Sequence, residues 1–191
     1  MNPISHLLAS WCVAESAPRL GRRGRVIVTL AGVAPDLDGF GALPEILTRD
    51  GPNPLFWWTD YHHVLAHNAM FAVAASALCF AVARERRVLT ALLALGAIHL
   101  HFLCDLAGSR GPDGYDWPIP YFYPFSREIE LRWSGQWALN AWPNIAITAA
   151  LLAVVFVLAI RRGYSPVELV SALADRLFVD ALRSRFHHET R

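Results

Sequence analysis

Histidines and aspartates recur along the first half of the chain in spacings that suit a metal ion. They are His6, Asp36 and Asp38, His62, His63 and His67, then His101 with Asp105. Six of the eight histidines, His99 included, fall within the first 101 residues. The segments around them are apolar, and burying imidazoles and carboxylates unpaired costs roughly several kcal/mol. A bound metal is one of few arrangements that satisfies such groups together. His101 and Asp105 lie four apart, so a helix puts both on one face as two ligands, or as a ligand and its orienting carboxylate. A core histidine hydrogen-bonded to an aspartate would have the same spacing. Asp36 and Asp38 flank one residue after Pro35; in an extended segment both point the same way and chelate or bridge a cation. A solvated turn or a helix N-cap is the alternative there.

His63 and His67 are also four apart, while His62 sits at a helix start, so one of the 62/63 pair is expected to stand aside, and His63 is the weaker participant. His99 lies about 200° around a helix from His101 and reads as a packing histidine. His187 and His188 fall in a charged tail and read as solvated. A mixed imidazole–carboxylate set favours zinc, with manganese or iron as alternatives, over magnesium or calcium. His6, Asp36, Asp38, His62, His67, His101 and Asp105 are more groups than one tetrahedral ion needs, so one or two ions are expected. A two-metal site polarises a phosphoryl or carbonyl oxygen and supplies a hydroxide nucleophile near neutral pH. Asp36 or Asp38 then serves as ligand or general base, which makes this pair the catalytic candidates.

The elements that must position these groups are apolar helices. Of 191 residues, 54% are hydrophobic and 17% charged, below the roughly 25% charged usual in soluble domains. The mean hydropathy of +0.31 agrees. A net charge of +1 gives no electrostatic case for nucleic acid. All 17 basic residues are arginine. Cys12, Cys79 and Cys104 stand singly without CxxC spacing and read as small core residues. No basic region precedes the apolar run Leu7–Ala14, so a retained N-terminal helix is expected rather than a cleaved signal.

Ser5–Ala17 reads as a helix stopped by Pro18. Val26–Ala34 is helix or buried strand, which pattern alone leaves open. Residues 39–60 read as loop, followed by a helix from about Tyr61 to Ala83 and another from Val88 to about Ala107. Residues 108–133 form an aromatic, proline-rich loop that includes Tyr115. Gln136–Ile160 is the best transmembrane candidate, long enough against the ~20 residues a span needs, with Pro143 expected to kink it. From Ser165 a separate amphipathic helix is expected, with Ser165 as N-cap, Pro166 at its first position and Glu168 closing a capping box. The reading is an all-α, membrane-associated bundle of about three to five apolar helices over 1–163, with an amphipathic helix and tail over 164–191.

Arginine clusters at 19–25, 84–87 and 161–162 each lie at one end of an apolar segment, and the His/Asp groups lie at the other ends. Up-and-down threading collects the candidates at one end of the bundle, with arginines in the cytoplasm and the site on the outer face. The aromatics of 56–58 and 115–125, with Trp133 and Trp137, then form a belt at that interface. Segments one and two, at about 9 to 13 residues, are expected to be too short to span alone.

The order of motifs resembles a known family: Ser-His-Leu-Leu at 5–8, Pro-Asp-Leu-Asp at 35–38, histidines at 62 and 67, His-Phe-Leu-Cys-Asp at 101–105, and Tyr-Pro-Phe-Ser at 123–126. It is similar to the YdjM-like family of inner-membrane-associated metal-dependent hydrolases, also described as LexA-binding, over roughly residues 4–126 and the next apolar helix. The resemblance implies that His6, Asp36, Asp38, His62, His67, His101 and Asp105 are the site. It also implies a multi-pass protein of the bacterial inner membrane. Against the family pattern, Gly39 stands for a frequent histidine, His63 for an arginine, Ala66 for a threonine and Asn68 for a serine. The all-α zinc phospholipase C/P1 nuclease type of site makes phosphoester hydrolysis the leading expectation, by analogy. The expected substrate is a small or lipid-like molecule at the membrane. The alternatives are a metal-binding or ion-transporting protein, a haem cytochrome with His67 and His101 as axial ligands, and a regulatory membrane protein with a degenerate site.

Overall fold

Apolar helices with small residues at their contacts build this molecule, in a computed structural model that describes residues 1–17, 19–111 and 116–186. Pro18, Tyr115, His187 and His188 lie outside the described residues. The fold is an all-α bundle; the described strands are the short β1 (Ile119–Pro120) and β2 (Glu130–Leu131), paired antiparallel with Ile119 opposite Leu131.

Helix α1 spans Pro3–Glu15, with Asn2 as its N-cap accepting from the Ser5 amide at 2.9 Å. Helix α2 (Arg22–Val33) settles residues 26–34 as helical. It passes directly into a 3-10 segment, Ala34–Gly41, and then into α3 (Ala42–Thr48). Two expectations are corrected here. The second apolar segment is not short, because Arg22–Thr48 is a run of 27 residues long and apolar enough to cross a membrane. Residues 39–60 are not all loop, since α3 and α4 (Trp57–Tyr61) lie within them. Pro35 sits in the first turn of the 3-10 segment, where its missing N–H is not needed, so it tightens the helix without ending it.

The single helix expected from Tyr61 is broken. His63 takes a left-handed conformation, φ 65°, and Asn68 caps a new helix α5 (Ala69–Val82) by accepting from the Phe71 amide at 2.8 Å. Helix α6 (Arg87–Gly108) and α7 (Trp142–Arg162) are both long and apolar enough to span. Pro143 lies in the first turn of α7, so it starts this helix and does not kink it.

Helices α1, α2 and α6 meet where only glycine fits: a Cβ on Gly32 would fall 2.0 Å from Ser10 Oγ and 3.0 Å from Ala97 Cβ. Ala31, Ala72, Ala94, Ile98 and Phe102 make the adjoining core, as expected where backbones approach closely in an apolar setting. The arginine turns gather at one end of the bundle. Arg23 donates to the Val82 carbonyl at 3.0 Å, and Arg25 donates to both carboxylate oxygens of Glu168 at 2.7 and 2.6 Å. The capping box expected at Glu168 is absent because that carboxylate is engaged by Arg25. Pro166–Leu169 forms a 3-10 turn, and the amphipathic helix α8 (Ala172–Phe186) starts after Ser171, whose hydroxyl accepts from the Leu173 amide at 3.2 Å. Val179 and Leu182 pack α8 on Ala159 of α7. The three cysteines are free, and only Cys79 is fully buried.

Candidate metal centre

At the end of the bundle away from the arginines, four chain segments deliver polar side chains to one buried point. Helix α1 supplies His6, the 3-10 segment supplies Asp36 and Asp38, the turn between α4 and α5 supplies His62, His63 and His67, and α6 supplies His101 and Asp105. The helical spacing of the last pair places His101 Nε2 3.0 Å from Asp105 Oδ2.

Asp105 is the hub. His6 Nε2 lies 3.1 Å from its Oδ1, and His67 Nε2 lies 3.3 Å from its Oδ2. Ser109, one helical turn on, donates its hydroxyl to Oδ1 at 2.6 Å. The amino nitrogen of Met1 also rests on Asp105 and Ser109. The His6 and His101 rings stack with centroids 3.7 Å apart.

Two rings are aimed from behind. His101 Nδ1 is 2.8 Å from the Gly32 carbonyl, and His67 Nδ1 is 3.0 Å from Asp38 Oδ2. A carbonyl and a carboxylate only accept, so both Nδ1 atoms carry hydrogen and both Nε2 atoms turn lone pairs inward. Those two Nε2 atoms are 3.1 Å apart. His67 Nε2, His101 Nε2 and Asp105 Oδ2 thus form a triangle with edges of 3.0–3.3 Å. Donors around a tetrahedral zinc, each about 2.0–2.1 Å from the ion, sit roughly 3.3 Å apart. His6 Nδ1 and Asp36 Oδ2 are buried here with no hydrogen-bond partner. Converging lone pairs and orphaned ligand atoms fit a metal.

The groups divide into two sets that share Asp105. One comprises His6, Asp36, His101 and Asp105; the other comprises His63, His67 and Asp105. Asp36 approaches His101 Nε2 at 3.6 Å. His63, the residue expected to stand aside, is in the second set, with Nε2 3.8 Å from Asp105 Oδ2. Asp38 and His62 lie outside both sets. Asp38 accepts from His62 Nδ1 at 2.7 Å on one oxygen, and from His67 and the Ala66 amide on the other. The two aspartates do not point the same way because residues 34–41 are 3-10 helix, where positions two apart diverge by about 240°.

Burial works against charge on His67, yet the carboxylates of Asp105 and Asp38 at its two nitrogens outweigh it and hold its pKa at about 9. Burial and the neighbouring His67 push His63 well below the ordinary histidine range, so its ring is neutral and free to ligate. His99 takes no part: its nitrogens reach the Leu95 carbonyl and the Tyr121 hydroxyl, each at 2.8 Å, as a packing histidine should.

Sequence reading overlooked the supporting groups. Ser109 has a usable signal, four residues beyond Asp105 on the same helix face. The Gly32 carbonyl, Gln136 donating to the Asp105 carbonyl at 2.9 Å, and the left-handed His63 carry none. A family model described as YdjM inner membrane protein matches residues 1–182 of the chain. No curated protein and no solved structure matches it.

Proposed function

We propose, from the premise that this chain belongs to the YdjM inner membrane protein family, that it is a membrane-bound metal-dependent hydrolase of a phosphoester or other ester. The observation that carries this reading is two sets of imidazole and carboxylate atoms, each set within 4.8 Å and both sharing Asp105, with the His67 and His101 rings fixed from behind. In this reading His6, Asp36, His101 and Asp105 hold one ion, and His63, His67 and Asp105 a second; zinc suits the donors best, with manganese or iron next. When bound, the ions supply Lewis acidity that polarises the scissile group and makes water a nucleophile near neutral pH.

The chain's own residues divide the remaining work. Asp36, whose Oδ2 is unpartnered, lines a cavity of about 500 Å³ beside the site and takes the proton from attacking water. His62 lines the same cavity; Asp38 accepts from its Nδ1 and holds the ring in place, so Nε2 delivers a proton to the leaving oxygen. Asp38 also orients His67. With the arginine turns cytoplasmic, the bundle crosses the inner membrane several times and the site opens at the outer face.

Elemental analysis of detergent-purified protein tests the assignment: stoichiometric metal in the wild type, lost in His101→Ala, is expected. A phosphodiester, phospholipid and carboxylic-ester panel with and without chelator then tests turnover. Intact metal in His101→Ala refutes the centre. Stoichiometric metal with no chelator-sensitive turnover on any substrate identifies the second reading, a non-catalytic metal-binding or regulatory membrane protein.

A further inference from the structure

The cavity beside the metal centre has two unlike ends. Asp36, His62 and Asp105, with Asn2 and Ser109, give it polar groups, while Val33, Leu37, Phe40, Trp58, Trp117 and Leu139 make most of the lining apolar. Its mouth is open: Leu37 and Phe40 line it and are 58% and 72% exposed. The surface beyond continues in the same character, because α3 buries no residue and presents Leu43, Ile46 and Leu47 outward. An exposed apolar surface leading into a pocket is a place where a chain of CH₂ groups gains by leaving water.

The charge of the walls is equally specific. Among the described residues no arginine lines this cavity, and the Met1 amino group that does is engaged by Asp105 and Ser109. The described lining therefore offers a ligand no free side-chain cation. A second negative charge on a bound phosphoryl group would face the carboxylates of Asp36 and Asp105, with only the His62 ring and the metal to offset it.

Building on the hydrolase reading, we propose that the substrate is a long-chain amphiphile whose scissile group is a phosphodiester carrying one negative charge. Its head lies against Asp36 and His62, and its chain leaves past Leu37 and Phe40 onto α3. Gly39 leaves room for that head: a Cβ there would meet nothing nearer than the His62 ring at 3.7 Å, an ordinary contact. A larger side chain at 39 therefore fills the cavity without displacing backbone.

The test is binding first, then cleavage, with metal-loaded full-length protein. Ethyl, butyl, hexyl and octyl methyl phosphates, all below their micelle concentrations, are titrated against tryptophan fluorescence, since Trp58 and Trp117 stand in the walls. Affinity is expected to rise roughly fourfold per added methylene. The matching alkyl phosphate dianions should bind no tighter than the diesters. Gly39→Leu should keep its metal, by elemental analysis, and lose at least tenfold in octyl affinity; Phe40→Asp should flatten the chain-length series. A flat series in the wild type, dianions bound tenfold tighter, or unchanged octyl binding in metal-loaded Gly39→Leu overturns the proposal. Binding as expected with no cleavage upholds the cavity's preference and refutes the hydrolase reading. Cleavage indifferent to chain length does the reverse.

Discussion

Asp38→Ala separates a carboxylate that holds histidines from one that holds metal. Asp38 accepts from His62 Nδ1 at 2.7 Å, from His67 Nδ1 at 3.0 Å and from the Ala66 amide at 3.3 Å, so both its oxygens are occupied on the far side of the rings from Asp105. Removing it frees His67 to change tautomer or rotate, and loss of such an orienting partner typically costs 10–100-fold in metal affinity. At about 1.4 kcal/mol per decade that is roughly 1.4–2.8 kcal/mol. The orphaned His67 donor adds about 1–3 kcal/mol to the loss of fold stability. Asp38→Asn is a sharper instrument. Its one carbonyl oxygen can serve His67 and Ala66 while the NH₂ faces His62 Nδ1, forcing that ring into the opposite tautomer. Metal affinity should then stay within a few-fold of wild type while turnover falls 10²–10⁴-fold, the usual worth of a general acid. The assay is competition with a chelator of known affinity, read by elemental analysis, alongside kcat. If Asp38→Ala is as metal-free as Asp105→Ala, Asp38 is a ligand and the two-set reading is wrong; if affinity is unchanged, the orienting role is wrong.

His63→Ala should lower the stoichiometry from two ions toward one, whereas His99→Leu should leave it unchanged; equal losses in the two would break the assignment of the second set. Gly32→Ala should lower both the melting temperature and metal affinity, since its Cβ would fall 2.0 Å from Ser10 Oγ and push the Gly32 carbonyl off His101. A thermal melt and a metal titration on one sample check this. Chelator alone should lower the melting temperature, because a ligand at 1,000 times its Kd stabilises by about 4 kcal/mol; a melt indifferent to chelator would mean that no structural metal is present. Glu168→Ala should cost up to about 3–5 kcal/mol by removing the bidentate partner of the buried Arg25 and leaving it only Glu15 at 3.3 Å, with metal content per folded molecule unchanged.

Much of the fold was legible because apolar length and arginine turns are one-dimensional signals. Helix α6 starts and stops within a residue of where hydropathy places it, α7 ends two residues beyond its expected end but begins six later than expected, and the His101/Asp105 pair follows from helical period alone. The errors cluster at proline and at unusual backbone. Pro35 looked like the end of the apolar run 26–34 but lies in the first turn of a 3-10 segment, and Pro143 looked like a kink but begins α7. Helical spacing aligned His63 with His67, yet one of the 62/63 pair was expected to stand aside and His63 was the weaker; φ 65° at His63 is a backbone feature that no residue pattern encodes, and its ring reaches Asp105. The division between Asp36 and Asp38 was equally hidden, since it depends on which of two screw symmetries residues 34–41 adopt.

The molecule buries polar groups at both ends, and the contrast between the ends argues for a ligand at one of them. At the arginine end, Glu168 and Glu15 face the Arg25 guanidinium, bidentate for Glu168 and at 3.3 Å for Glu15, and Tyr164 stacks under Arg25 while donating to Glu15 at 3.1 Å. Fixed positive charge meets fixed negative charge in that cluster. At the other end Asp36, Asp38 and Asp105 face imidazoles, the Met1 amino group reaches Asp105 alone of the three, and no guanidinium contacts them among the described residues. Imidazoles balance carboxylates only by binding a proton, and two of these rings already give their Nδ1 hydrogens to acceptors behind them while turning Nε2 toward Asp105. A proton can join one pair of those inward atoms, as the raised pKa of His67 reflects. It cannot also satisfy His6 Nδ1 and Asp36 Oδ2, which stay orphaned a few ångströms away. A divalent cation reaches several lone pairs at once, and it restores at this end the charge balance that Arg25 provides at the other.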